Sequence, residues 1–221
     1  LRILYGVQTT GNGHISRSRL MVSALKVQGH SVTTLFSGLG CPKFWDYSVF
    51  EPFSQAHGLT FMTSNGQIDY GQTIRYAKPR VLFNDIKALD VSQYDVVISD
   101  FEPITAWAAH RQKIPSVGIS HQEAFRYEIP KRSGQVSARA IMRYYAPTKH
   151  SIGLHWHHFN QPILPPIIDT TLEVSELDAS MILVYLPFES REVVVGLLRR
   201  FDRHVFRVYC DVAEIQHIDN I

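Results

Sequence analysis

Arg2-Ile3-Leu4-Tyr5-Gly6-Val7-Gln8, then Thr9-Thr10-Gly11-Asn12-Gly13-His14, then Ile15 to Gln28: these three consecutive stretches decide the fold. The first is a short, nearly unbroken apolar run, as in a strand covered on both faces. The second is a glycine-bearing turn. The third places Leu20, Met21, Ala24, Leu25 and Val27 mostly on one helical face. Gly29 ends that helix, because glycine accepts the positive φ of a helix end. Strand, turn and helix in this order begin a βαβ unit.

The same rhythm continues outward. Ser31 to Ser37 is the next strand, and Leu59 to Thr63 is a third candidate. Tyr70 to Leu89 is partly helical, with Pro79 interrupting it. Tyr94 to Ser99 is a buried strand ending at Asp100, and the helix after it starts at Pro103, a residue suited to a first turn. Ser116 to Ser120 is again strand, and Ser137 to Tyr145 is helix. Strands alternating with helices give an α/β fold, a mostly parallel sheet wrapped on both faces. At Gln161-Pro162-Ile163-Leu164-Pro165-Pro166 the rhythm breaks into a stiff, extended connector. Beyond it come strand Met181 to Leu186, helix Ser190 to Phe201 and strand Val205 to Cys210. That single βαβ unit is too short for a domain.

Composition narrows the function classes. The 221 residues are 45% hydrophobic, ample for a packed core, and 22 basic residues face 20 acidic ones. So even a balance gives no nucleic-acid footprint. No Lys/Arg run is long enough for a membrane tail, which leaves peripheral membrane contact to a patch made by folding. The longest apolar runs, such as Met181 to Leu186, are too short to span a bilayer. Leu1 to Tyr5 runs straight into a strand and reads as no secretory signal. Cys41 and Cys210 are too few and too far apart for a disulfide framework, which fits a reducing cytoplasm. The absence of an initiator Met suggests a chain shorter than its gene product.

Three polar clusters fall at strand ends. In an open parallel sheet, ligands bind at the carboxyl ends of strands. Gly11-Asn12-Gly13-His14 follows the first strand, where small residues allow close approach and the helix N-terminus favours negative charge. It fails as a dinucleotide fingerprint: Ser16 stands where a third Gly is needed, and Ser37-Gly38 where an acidic residue should close the second strand. A tight turn without chemistry is the plain alternative. His14 favours chemistry, since an imidazole there is placed to carry a proton near neutral pH. Asp100-Phe101-Glu102-Pro103 and Ser120-His121-Gln122-Glu123 project to the same rim. Asp100 or Glu102 could instead cap the helix at Pro103, and His121 could simply bind a neighbouring loop.

Other candidates are weaker. Ser120-His121 lacks any Gly-x-Ser-x-Gly elbow, so a serine hydrolase is disfavoured. His155-Trp156-His157-His158, if a strand, sets His155 and His157 on one face, but no carboxylate or Cys lies at ligand spacing. No metal is expected. Arg17, Arg19, Arg126, Lys131 and Arg132 would meet phosphate only if they faced a cleft; solvated surface is their default. Trp107, Tyr144, Tyr145 and Trp156 read as core or cleft wall.

With these residues in view, the chain resembles a group of bacterial and archaeal family 1-like glycosyltransferases, distant relatives of MurG-type transferases and UDP-glycosyltransferases. The motifs are Gly-Asn-Gly-His-Ile-Ser-Arg at 11–17, Asp-Phe-Glu-Pro at 100–103 and Gly-Ile-Ser-His-Gln at 118–122. The likeness extends through the proline-rich run to Val184-Tyr185-Leu186-Pro187. It implies a GT-B fold: an acceptor-side Rossmann-like domain over 1–160, an interdomain connector over 161–180, and the start of a nucleotide-sugar-side domain over 181–221. It implies a nucleotide-sugar donor, UDP-linked by family default, used as co-substrate with no cofactor. The acceptor would be a sugar, a lipid-linked molecule or a small molecule. His14 maps to the base of an inverting, metal-independent transfer, with Asp100 or Glu102 orienting it. Gly11, Asn12 and Gly13, with Ser120, His121 and Gln122, would bind substrate, the backbone N–H groups of 12–14 facing the donor diphosphate. Relatives carry a nucleotide-sugar motif late in the second domain, and nothing after Cys210 supplies it, so an incomplete enzyme is expected. A nucleotide-sugar epimerase of the same fold and a non-catalytic carbohydrate- or nucleotide-binding module are the alternatives.

Overall fold

The computed structural model describes the chain except residues 39, 41–45, 61, 65–66, 132–140, 142, 173–179, 187–188, 211 and 213. The chain divides into two compact units, Leu1–Thr60 with Ala77–Asp169, and Phe61–Tyr76 with Thr170–Ile221.

The first unit is built on β1 (Arg2–Gln8), α1 (Asn12–Val27), β2 (Ser31–Ser37) and β3 (Phe53–Ala56). Its remaining strands are β6 (Val96–Asp100), β7 (Ser116–Ser120), β8 (His150–Leu154) and β9 (Ile163–Leu164). These strands form one sheet in the order β3-β2-β1-β6-β7-β8-β9, every neighbouring pair parallel. Helices α3 (Pro79–Ala88), α4 (Pro103–Gln112) and α5 (His121–Ala124) also belong to it.

Strand order grows from β1 to β3 in one direction and from β6 onward in the other. The sheet therefore has its topological switch point between β1 and β6, where open α/β sheets leave a crevice at the carboxyl ends.

Alternation along β1 builds both halves of the core. Ile3, Tyr5 and Val7 join Ile15 and Val22 of α1, Val32, Phe36, Phe50, Ile98 and Ile119 on one face. Leu4 joins Leu35, Ile86, Val97, Ile104, Ala108 and Ala109 on the other. Both faces are thus covered, as a parallel sheet requires. Gly6 lies on the α4 face, where a Cβ would stand 2.1 Å from Thr105 Oγ1 and 2.8 Å from Glu102 Oε2. Only glycine lets the start of α4 sit this close to the strand.

Some elements depart from the sequence reading. Helix α1 begins at Asn12, not Ile15, because Gly11 (φ 109) makes the whole turn by itself. The third strand is Phe53–Ala56, not Leu59–Thr63. Phe53 sets its ring edge-on against Phe36, with centroids 5.6 Å apart, and Gly58 (φ 60) then turns the chain away. His155-Trp156-His157-His158 is not a strand, since β8 stops at Leu154. There the imidazole Nδ1 atoms of His155, His157 and His158 accept backbone N–H groups two residues on, at 2.9–3.1 Å, which stabilises turns instead. Within the proline-rich run, Ile163–Leu164 is the edge strand, a position that tolerates flanking prolines. The helix expected over Ser137 to Tyr145 lies largely outside the described residues, as do Cys41, Arg132 and Pro187.

The second unit holds β4 (Thr63–Ser64) and β5 (Gln67–Ile68) as an antiparallel pair, followed by α2 (Tyr70–Tyr76). It also holds β10 (Met181–Tyr185), α6 (Arg191–Leu198) and β11 (Val205–Tyr209), with β10 and β11 parallel. Val194, Leu198 and Phe206 form its small core, while Leu183, Tyr185, Val205 and Tyr209 are exposed.

Candidate active site

The site stands at the switch point of the first unit. β1 and β6 run side by side with Val7 opposite Asp100, so the turn after Gln8 and the carboxylate closing β6 come together. His14, Arg17 and Ser18 occupy positions i, i+3 and i+4 of α1 and therefore share one face. That face looks onto Asp100.

Asp100 is fully buried and accepts four hydrogen bonds. His14 Nδ1 lies 2.8 Å from Oδ1. The Arg17 guanidinium grips both oxygens, Nη2 to Oδ1 at 2.5 Å and Nε to Oδ2 at 2.6 Å. The Ser18 hydroxyl donates to Oδ2 at 3.0 Å. Burial by itself would raise the Asp100 carboxyl, but the Arg17 charge and His14 outweigh it and hold the group below the usual carboxylate range. Asp100 is therefore an anion with a fixed direction. Burial also opposes the Arg17 charge, yet the Asp100 carboxylate more than offsets this. Tyr5, hydrogen-bonded to Ser18 beneath the cluster, is kept neutral by burial and by Asp100.

His14 Nδ1 also lies 2.7 Å from Arg17 Nη2. One ring nitrogen carries either a hydrogen or a lone pair, so it cannot serve both neighbours. The guanidinium already directs hydrogens at both carboxylate oxygens, and an Nδ1 lone pair would face an anionic oxygen. Nδ1–H donating to Asp100 is the consistent arrangement, and it makes Nε2 the basic nitrogen.

Glu102, two residues after Asp100, is equally buried and differently used. It is the N-cap of α4. Its Oε1 accepts from Ile104 N and Ser37 Oγ at 2.7 and 2.6 Å, and its Oε2 from Thr105 N and Thr105 Oγ1 at 2.7 and 2.5 Å. Burial raises its carboxyl above the usual range, and these neutral donors offset the effect only in part. Between the two acids, Phe101 takes a left-handed backbone (φ 52), and its buried ring lies 4.7 Å from that of Tyr145. Such a conformation costs an aromatic residue about 1–3 kcal/mol and persists where packing enforces it. The turn at Phe101 sends Asp100 to α1 and Glu102 to α4.

The third cluster lies at the end of β7. Ser120 caps α5, accepting from Glu123 N at 3.2 Å. His121 Nδ1 donates to the Leu154 carbonyl at 3.0 Å, and its ring stacks on His155 with centroids 5.5 Å apart. Gln122 Oε1 is buried without a hydrogen-bond partner among the described residues. Glu123 packs over Gly118 and faces Arg126, with Oε2 and Nε 2.7 Å apart, a charge contact rather than a directed hydrogen bond. Burial raises the Glu123 carboxyl.

Of the residues singled out in the sequence, the fold therefore joins His14 to Asp100 and places Glu102, Ser120 and His121 in bonds of their own. Gly11 and Gly13 flank the start of α1, and Gly11, at its N-cap, has no side chain with which to cap it. Arg17, expected at solvated surface, has a side chain only 16% exposed and completes the cluster. Its three-residue spacing from His14 was the available signal. Among the described residues, no group of three or more His, Cys, Asp or Glu is placed to hold a metal ion, and no helix is long and apolar enough to cross a membrane.

The family model for glycosyl transferase family 1 matches residues 1–219. The chain belongs to glycosyl transferase family 1. The family's GT-B fold is also that of solved structures that share little sequence with this chain. The glycosyltransferase SsfS6 of Streptomyces sp. SF2575, complexed with thymidine diphosphate, matches with a TM-score of 0.56 at 13% identity, over 96% of this chain and 68% of that one. The spinosyn rhamnosyltransferase SpnG matches with a TM-score of 0.52 at 14% identity, over 96% of this chain and 66% of that one. The spinosyn forosaminyltransferase SpnP gives 0.51 at 12% identity, over 100% and 68%. The chain thus spans about two thirds of the length of these enzymes. No curated protein matches it significantly.

Proposed function

We propose that the full-length protein transfers a sugar, with inversion and without a metal ion, from a nucleoside-diphosphate sugar to an acceptor hydroxyl, with His14 as general base. One observation carries this reading. A nearly buried imidazole at the switch point of the sheet directs Nδ1 at a fully buried carboxylate 2.8 Å away. In that arrangement the acceptor oxygen attacks the anomeric carbon as its bond to the diphosphate breaks. The hydroxyl proton passes to His14 Nε2, and the nucleoside diphosphate leaves with the bonding electrons. Asp100 fixes the ring and stabilises the imidazolium as it forms.

The donor class has support from two sides. SsfS6, which shares the fold, was solved with thymidine diphosphate. The N-terminal end of α1, formed by Gly11, Asn12 and Gly13, offers positive potential to the charge that develops on a leaving diphosphate. A UDP sugar is the first donor to try. In this reading Ser120, His121 and Gln122 shape the acceptor side of the rim, and a sugar, a lipid-linked molecule or a small molecule would supply the hydroxyl.

The test is release of nucleoside diphosphate and formation of glycoside by the full-length protein, using UDP- and dTDP-linked sugars with a panel of hydroxyl acceptors. His14→Ala should lower transfer at least ~100-fold, the usual contribution of a positioned base. Unchanged turnover would remove His14 from this role.

A further inference from the structure

We propose that Arg17 is a positioning residue that keeps the His14 imidazole uncharged by occupying the carboxylate that would otherwise favour its protonation. The inference deepens the reading of His14 as a base and rests on it.

In a nearly dry place the sum of charge decides which form of the ring is favoured. His14, Arg17 and Asp100 have side chains 10%, 16% and 0% exposed. Asp100 and Arg17 sum to zero when the imidazole is neutral. Protonating the ring would bring a second cation within 2.7 Å of the guanidinium, so that one carboxylate would answer two cations instead of one. Without Arg17 the preference reverses. A lone buried carboxylate 2.8 Å from Nδ1 favours the imidazolium, because that form cancels its charge.

The other groups around the cluster do not alter the sum. Tyr5, on β1, is held neutral. Glu102 directs its carboxylate into the start of α4. Glu123, which also senses Asp100, is answered by Arg126. A base that is already protonated cannot take the acceptor proton, so a lower proton affinity keeps a larger share of His14 ready to act at neutral pH. The bidentate guanidinium supplies this while leaving Asp100 in place to orient the ring.

The experiment follows the ring nitrogens of His14 by NMR in the full-length protein labelled with 15N-histidine, the signal being assigned by its absence in His14→Gln. In the parent at pH 7 the ring should be neutral; an imidazolium there would overturn the proposal. In Arg17→Met the titration midpoint should move up by about one pH unit or more, a tenfold rise in proton affinity. Arg17→Lys, which keeps the charge, should stay within about half a unit of the parent. An unmoved midpoint in folded Arg17→Met would overturn the proposal, as would an Arg17→Lys midpoint that follows Arg17→Met. If Arg17→Met does not fold, Arg17→Gln, which keeps hydrogen-bond donors toward Asp100 without the charge, takes its place with the same expected rise, and an unmoved midpoint there overturns the proposal. None of these readouts uses turnover, so a failure of His14 as base in the transfer assay stays separate from a failure of Arg17 as its charge partner.

Discussion

Asp100 and Glu102 are two carboxylates with one residue between them, both wholly buried, and they are shifted in opposite directions. Each accepts four hydrogen bonds. The difference lies in the charge of the donors. Asp100 meets a guanidinium and an imidazole, while Glu102 meets two hydroxyls and two backbone amides. Hydrogen bonds from neutral groups satisfy a buried acid without fully repaying the desolvation of its charge; a cation does. Burial alone therefore does not decide which way a carboxyl group shifts. The left-handed turn at Phe101 separates the two acids, giving one to His14 and Arg17 of α1 and the other to the start of α4.

Substitutions should divide these roles. Glu102→Ala should have the largest effect on folding, about 3 kcal/mol by denaturant midpoint, because it strips the cap from α4 and strands buried donors. Transfer per folded molecule should remain within about threefold of the parent. Asp100→Asn should instead cut transfer about 100-fold, ~2.7 kcal/mol, since the amide neither selects the ring tautomer nor stabilises the imidazolium. If Glu102→Ala abolishes transfer in folded protein while Asp100→Asn spares it, the two roles are exchanged.

Smaller effects should appear in the pH dependence of stability. The folded carboxyl of Asp100 titrates lower than in the unfolded chain. Its contribution is therefore complete above the ordinary value of ~3.9 and is lost as pH falls through the lowered folded value. That of Glu102 titrates higher than in the unfolded chain. Its contribution is complete below ~4.3 and is lost as pH rises through the raised folded value. Urea midpoints from pH 3 to 8 should thus lose part of their acid-side fall in Asp100→Asn, and part of their decline above ~4.3 in Glu102→Gln. Curves parallel to the parent in both variants would contradict the opposite shifts.

The sheet was legible in the sequence because period and length speak directly: β1, β2 and β7 have the bounds that their apolar runs suggested. The third strand was not, because Phe53–Ala56 owes its place to Phe36 across the sheet rather than to its own pattern. The pairing of His14 with an acid was legible, since His14 follows one strand and the acids end or follow another strand of one parallel sheet. The choice between Asp100 and Glu102 was not, because a single φ at Phe101 decides it. Arg17 and Gly6 carried signals that spacing alone leaves weak: three residues from a histidine on a helix, and a glycine inside a buried strand. Both became informative only once α4 and α1 were seen to close on β1 and β6.

The most direct measurement is a double-mutant cycle on sugar transfer by the full-length protein, with His14→Ala and Asp100→Asn singly and together. If Asp100 acts through His14, the double variant should be no slower than His14→Ala alone, within about threefold. Multiplicative losses, each substitution keeping its full effect in the presence of the other, would show that the two side chains do not work as one unit.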